Sequence, residues 1–127
     1  MLDVAIIGSG PAGVAAAINV RQRNRSLVLL GAAEVSRKLE SAQEIANYPG
    51  FPEIGGAALG EAFHRHLDAL GIAVERKYVD HVYPMGDFYA LTSGEEMWEA
   101  RSVVLATGVT AFKPIEGEIE LLGRGVS

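Results

Sequence analysis

Near the start of the chain, Val4, Ala5, Ile6 and Ile7 run directly into Gly8-Ser9-Gly10-Pro11-Ala12-Gly13. Small helix-compatible residues follow, Ala15, Ala16 and Ala17. Apolar run, Gly-x-Gly-x-x-Gly, then helix is the order strand, tight turn, helix. That is the context in which such a turn holds the phosphates of a dinucleotide. Each glycine has a physical task there. Gly8 lets the chain turn sharply out of the strand. Gly10 lets a pyrophosphate approach the backbone, and a β-branched residue at that position is also expected to resist a positive φ. Gly13 lets the helix pack close against the strand. The helix N-terminus then offers unpaired N–H groups and the positive end of its dipole. Pro11 suits the first helical turn, where a missing N–H costs nothing. Glycine-rich turns also serve plain strand-to-helix connections, so the context carries the reading.

The rest of the chain extends this unit. Residues 2–7 and 26–30 are unbroken apolar runs, the pattern of parallel strands buried on both faces. Residues 11–23 form the helix between them, which makes a right-handed βαβ unit. A dinucleotide site has an acid about twenty residues beyond the glycines, for the ribose hydroxyls. Gly31 stands at that place, and Glu34 lies three residues on. Glu34 reads equally well as a ribose ligand or as a solvated loop acid. Residues 32–56 read as a long irregular segment. Its Asn47-Tyr48-Pro49-Gly50-Phe51-Pro52 fixes an extended, turning path, and Ile45, Tyr48, Phe51 and Ile54 argue that it is docked. Leu59, Phe63, Leu67 and Leu70 make the apolar stripe of a helix over residues 56–70, closed by Gly71.

After a short strand at residues 72–75 the pattern changes from unbroken runs to alternation. Residues 78–83, 88–92 and 97–99 read as an antiparallel β-meander, and residues 102–106 as a return to the parallel type. The fold class expected is therefore α/β, with a parallel sheet that carries an inserted antiparallel meander. The 127 residues make at most one domain. A net charge of −5 disfavours nucleic acid and anionic membrane as partners. No apolar run is long enough to span a bilayer. Asp3 stands where a signal peptide has its cationic region. With zero cysteines, disulfides and thiolate metal sites are excluded within these residues. His64 and His66 lie two apart and cannot share a metal. No catalytic constellation emerges, and hydrolytic chemistry has no support.

Four signatures in order make the chain similar to the N-terminal part of the low-molecular-weight thioredoxin reductases, flavoproteins of the class II pyridine nucleotide-disulfide oxidoreductases. Residues 8–13 match the family's FAD pyrophosphate loop. Residues 47–52 match the segment that runs along the flavin. Ala106-Thr107-Gly108 match a strand-end motif, and Gly123-Arg124-Gly125-Val126-Ser127 match the stretch before a Cys-x-x-Cys. The resemblance implies a Rossmann-like, three-layer FAD-binding fold that is incomplete. Residues 1–112 would be the N-terminal portion of the FAD domain, and 113–127 a linker to an absent redox and nucleotide domain. It further implies that Gly8, Ser9, Gly10, Pro11, Ala12 and Gly13 hold the FAD phosphates, with Gly31 and Glu34 near the ribose. Asn47 would contact the flavin, though supporting its own turn is an open alternative. Val82 would meet the adenine through its backbone, and Ala106, Thr107 and Gly108 would pack by the cofactor.

In the parent enzyme the implied electron path runs from a donor to FAD, to a dithiol, to thioredoxin or a similar protein. NADPH would bind in the absent domain. A cytoplasmic homodimer is implied as well. Where several family members have Gly-Gly-Gln, this chain has Ser36-Arg37-Lys38-Leu39-Glu40, an alteration that resembles a subgroup using ferredoxin as donor. Taken alone, the chain is expected to be inactive as a reductase. A non-catalytic flavin- or nucleotide-binding module is the alternative function. A plain NAD(P)-binding Rossmann protein fits the meander and the Asn-Tyr-Pro-Gly segment poorly.

Overall fold

The computed structural model describes residues 1–31 and 36–109. Glu34, the 112/113 boundary and the terminal Gly-Arg-Gly-Val-Ser lie outside the described residues. Nine elements follow in order within them: β1 (Leu2–Ile7), α1 (Pro11–Gln22), β2 (Leu27–Gly31), α2 (Arg37–Glu40), α3 (Gly56–Ala69), β3 (Val74–Arg76), β4 (His81–Pro84), β5 (Tyr89–Ser93) and β6 (Glu96–Leu105). The strands form one sheet in the order β3-β2-β1-β6-β5-β4. Pairings among β3, β2, β1 and β6 are parallel. Those among β6, β5 and β4 are antiparallel.

The unbroken apolar runs are explained by two cores on opposite faces of β1 and β2. Ile6 and Leu29 face the helices and pack with Val14, Ala17, Leu59, Phe63 and Leu67. Their chain neighbours Ala5, Val28 and Leu30 face the other way and pack with Leu91 and Ala100, with Val82 and Trp98 at the margin. A strand buried on both faces has no polar side to alternate with. Helices, parallel strands and the folded-over meander are thus three layers, as the α/β expectation requires.

Both long helices end in a Schellman motif. After α1, Asn24 adopts φ 53°, while Asn24 N–H donates to the Arg21 carbonyl and Arg25 N–H to that of Val20. After α3, Gly71 at φ 61° is followed by Ile72, whose N–H donates to the Leu67 carbonyl at 3.0 Å. Ile72 is thereby committed to the cap and the helix-side core. For that reason the third strand starts at Val74, two residues later than the sequence suggests.

Two further expectations are corrected. The strands expected separately at residues 97–99 and 102–106 are one strand, β6. Its first half pairs with β5 and its second with β1, and Ala100 pairs with both Tyr89 and Leu2. The segment expected to be irregular over residues 32–56 contains α2. Leu39, 9% exposed, anchors that turn in the helix-side core. Gly56 is the reason α2 and α3 lie so close: a Cβ there would fall inside the Leu39 carbonyl.

Candidate functional site

β1 and β6 run side by side and end together, since the Ala106 N–H donates to the Ile7 carbonyl at 2.8 Å. From β1 the chain proceeds to β2 on one side, and β6 lies on the other. The crevice at such a switch point, outside the carboxyl ends of the strands, is where open α/β sheets bind ligands. The glycine turn sits there. Gly8 has φ 114° and donates to the Leu30 carbonyl at 2.7 Å. A Cβ on Gly8 would overlap the Ala106 carbonyl, and one on Gly13 would overlap the Gly8 carbonyl. Both residues are glycine because the fold's own backbone occupies the space.

Gly10 is different. Among the described residues outside its own turn, a Cβ built on it would meet only the Ser36 Cβ, at 3.8 Å. The space above it is open, at the N-cap of the twelve-residue α1. No side chain caps that helix, and no acid lies in its first turn. The donors of the first turn and the positive end of the dipole therefore face this space, as an anion requires. Gly10 itself has φ −76° and ψ −177°, ordinary extended backbone. The expectation that a β-branched residue would be resisted there by a positive φ is overturned, and the argument from space is what remains.

Ser9 is 6% exposed and lies against the end of β2. A Cβ on Gly31 would overlap the Ser9 Oγ. The ribose acid missing from position 31 is thus not a gap in the motif. The serine of the glycine turn fills the place from which such a side chain would start. The register sets Arg76 of β3 beside Gly31.

The Asn47 segment closes the opposite wall. Ile45 and Ile54 exchange backbone hydrogen bonds at 2.8 and 3.0 Å, and the Phe51 N–H donates to the Tyr48 carbonyl at 3.0 Å. Pro49 and Gly50, the latter at φ 90°, occupy the corners of a type II turn. The Tyr48 ring is held edge-on against Phe63, with centroids 5.4 Å apart. This places Tyr48 and Pro49 opposite Pro11, Ala12 and Ala15 across a cleft of about 420 Å³. Asn47 is exposed beside it, and its side chain has no hydrogen-bond partner among the described residues. Thr107 and Gly108 are exposed just past β6, and Lys38 of α2 donates to the Val109 carbonyl next to them.

Val82 lies apart from this cleft, on the edge strand β4. Antiparallel neighbours alternate between pairs that exchange hydrogen bonds and pairs whose backbone groups face away. Met85 N–H donates to Phe88 at 2.8 Å, so the pairs 83/90 and 81/92 are bonded. Val82, paired with Leu91, turns its own N–H and carbonyl outward. Pro84 sits at the other outward position, where its missing N–H costs nothing. The side chain of Val82 joins the meander-side core.

The structure therefore brings together residues 8–13, Gly31 and Ala106, with Asn47, Thr107 and Gly108 at the rim. Sequence reasoning singled out the segments 36–40 and 47–52 but not the individual places of Ser36, Lys38, Tyr48 and Pro49. The Pro-Gly corner is visible in the sequence, but the docking of Tyr48 on Phe63 is a tertiary contact without a local signal. Among the described residues, no group of His, Asp or Glu could hold a metal ion. No helix among them is long and apolar enough to cross a membrane.

Residues 2–127 match the family model described as pyridine nucleotide-disulphide oxidoreductase. The chain is 32% identical over 126 residues to the thioredoxin reductase of Bacillus subtilis, covering 98% of this chain and 40% of that protein. Among solved structures, a ferredoxin-flavin thioredoxin reductase from Clostridium acetobutylicum superposes with a TM-score of 0.84 at 46% identity. It covers 98% of this chain, which spans 43% of it. The thioredoxin reductase of Lactococcus lactis superposes with a TM-score of 0.84 at 33% identity, over 100% of this chain and 42% of that one.

Proposed function

Because the chain belongs to the pyridine nucleotide-disulphide oxidoreductase family, we propose that it is the FAD-holding part of a thioredoxin reductase-like oxidoreductase. The observation that carries this is the open space over Gly10 at the bare N-terminus of α1. Gly8 and Gly13 are required by the fold, whereas Gly10 leaves room that no backbone among the described residues occupies. A diphosphate fits that room and the donors beneath it.

The residues divide the work. Backbone N–H groups at the start of α1 bind the phosphates. Ser9 and Gly31 hold the turn against β2. The outward N–H and carbonyl of Val82 suit the paired acceptor and donor on an adenine edge. Tyr48 and Pro49, with Pro11, Ala12 and Ala15, flank a planar ring system and exclude water from one side of it, and Asn47 offers an amide at its rim. FAD, when bound, supplies two-electron redox chemistry that the side chains cannot.

The chain spans about 40% of the relatives it matches, and reductase activity is a property of their whole length. The whole activity proposed is reduction of a Cys-x-x-Cys dithiol, and through it of a thioredoxin-type protein, with NADPH or a ferredoxin as donor. The 46% identity to the ferredoxin-flavin enzyme, against 33% to the Lactococcus one, favours ferredoxin.

The test is a visible absorption spectrum of the purified protein after loading with FAD and removal of free cofactor. Flavin bands in the protein fraction are expected. A colourless protein that takes up no FAD would rule the reading out. If FAD binds, anaerobic mixing with reduced ferredoxin or with NADPH separates the donors by which one bleaches the flavin.

A further inference from the structure

The room above Gly10 has a second wall, and one side chain stands on it. We propose that the Ser36 hydroxyl is a direct ligand of the bound diphosphate. This rests on the reading of residues 8–13 as the phosphate site. Among the described residues outside the glycine turn, Ser36 is the one neighbour within 4 Å of the position a Cβ on Gly10 would take. It is half-buried, and its hydroxyl has no hydrogen-bond partner among the described residues. Its Cβ borders the space beside Gly10, and no described residue claims the hydroxyl that it carries.

Its position is fixed from several sides. The Ser36 carbonyl accepts from the N–H groups of Leu39 and Glu40 at 2.9 and 3.2 Å. Leu39 is buried in the helix-side core, and its carbonyl abuts Gly56 too closely for any side chain there. Lys38 ties the same turn to the Val109 carbonyl beyond β6. A phosphate over Gly10 thus meets backbone donors of α1 on one side and an O–H donor on the other. A hydroxyl can rotate its single donor to suit the ligand, and a bond to a charged oxygen is shorter and stronger than one to a neutral acceptor.

Ligand chemistry separates this role from a structural one. The wild-type protein, Ser36→Ala and Ser36→Thr are titrated with FAD, ADP and adenosine, and the melting temperature of each ligand-free protein is measured. In Ser36→Ala, Kd for FAD and for ADP is expected to rise about tenfold, the loss of one hydrogen bond to a charged group. Adenosine binding and ligand-free melting stay at the wild-type value. Ser36→Thr keeps the hydroxyl and restores tight FAD and ADP binding. Unchanged FAD and ADP affinity in Ser36→Ala overturns the proposal, as does an equal loss for adenosine. A wild-type protein that binds neither FAD nor ADP removes the phosphate site itself, a failure distinct from that of Ser36.

Discussion

A hydrogen atom where other residues carry a methyl serves different ends within one turn. At Gly8 and Gly13 it makes room for the protein's own carbonyls; at Gly10 no described carbonyl stands close. The same added methyl should therefore act in opposite ways. Gly13→Ala is expected to cost about 2 kcal/mol or more of folding stability, because backbone cannot yield as a flexible side chain does. Gly10→Ala should cost about 1 kcal/mol at most, the difference between glycine and alanine at an N-cap, but should weaken FAD binding. Urea unfolding and FAD titration of the two variants check this, and a Gly10→Ala protein with undiminished FAD affinity would place the phosphates elsewhere. The tasks of Gly8 and Gly13 were legible in the sequence because the motif's spacing dictates them. The reason for Gly31 was not. It lies in a contact with Ser9, twenty-two positions earlier, and a single sequence does not show which residues meet. The φ of Gly10 was misjudged because glycine permits either sign and its identity does not report which one is used.

Strands and helices were legible where hydropathy changes period. Unbroken runs gave β1 and β2, and alternation gave β4 and β5. β6 was divided in two because Glu99, Ala100 and Arg101 interrupt its apolar residues, and charge in mid-strand resembles a turn. The structure shows Glu99 and Arg101 exposed on either side of a fully buried Ala100. α2 has only four residues, too few for a helical period to register. One junction between elements gives a pH dependence. Asp3 at the start of β1 accepts from the Ser26 N–H and hydroxyl at 2.9 and 2.8 Å, which ties the start of β1 to the entry of β2. The Ser26 side-chain bond first, and its backbone bond second, hold the Asp3 carboxyl below the usual carboxylate range. A depressed folded-state pKa means stability present above the unfolded value and lost as pH falls through the folded one. The stability gap between wild type and Asp3→Asn should accordingly be constant at neutral pH and narrow in the acid range. A gap that stays constant down to the acid transition would show that the carboxylate charge contributes nothing.

Across the whole molecule, the two cores share the central strands and nothing else. The class of fold followed from the sequence, since only strands covered on both faces need no polar side. That the meander folds back over the sheet as a third layer was legible only through resemblance. It depends on Val82, Leu91 and Trp98 meeting Ala5, Val28 and Leu30, and such pairings leave no periodic trace. β6 has β1 on one side past Ala100 and, among the described residues, no strand on the other. Leu105, 73% exposed, lies at that end.

The double pairing of Ala100 also has a meaning in time. Leu2 is made well before its partner Ala100, which comes nearly a hundred residues later in the chain. Domains assemble as the chain emerges, at about 5–20 residues per second, so β1 waits several seconds for one of its two neighbours. The helices α1 and α3 and the β4–β5 hairpin close over short loops, which form before distant pairings do. In pulse-labelled hydrogen exchange during refolding, their amides should gain protection first and those of β1 later; β1 protected ahead of the hairpin would reverse this order. The strand that carries the glycine turn thus precedes one of its partners by most of the described chain and is among the last to be secured, and the crevice beside it comes into being only once β6 has paired with it.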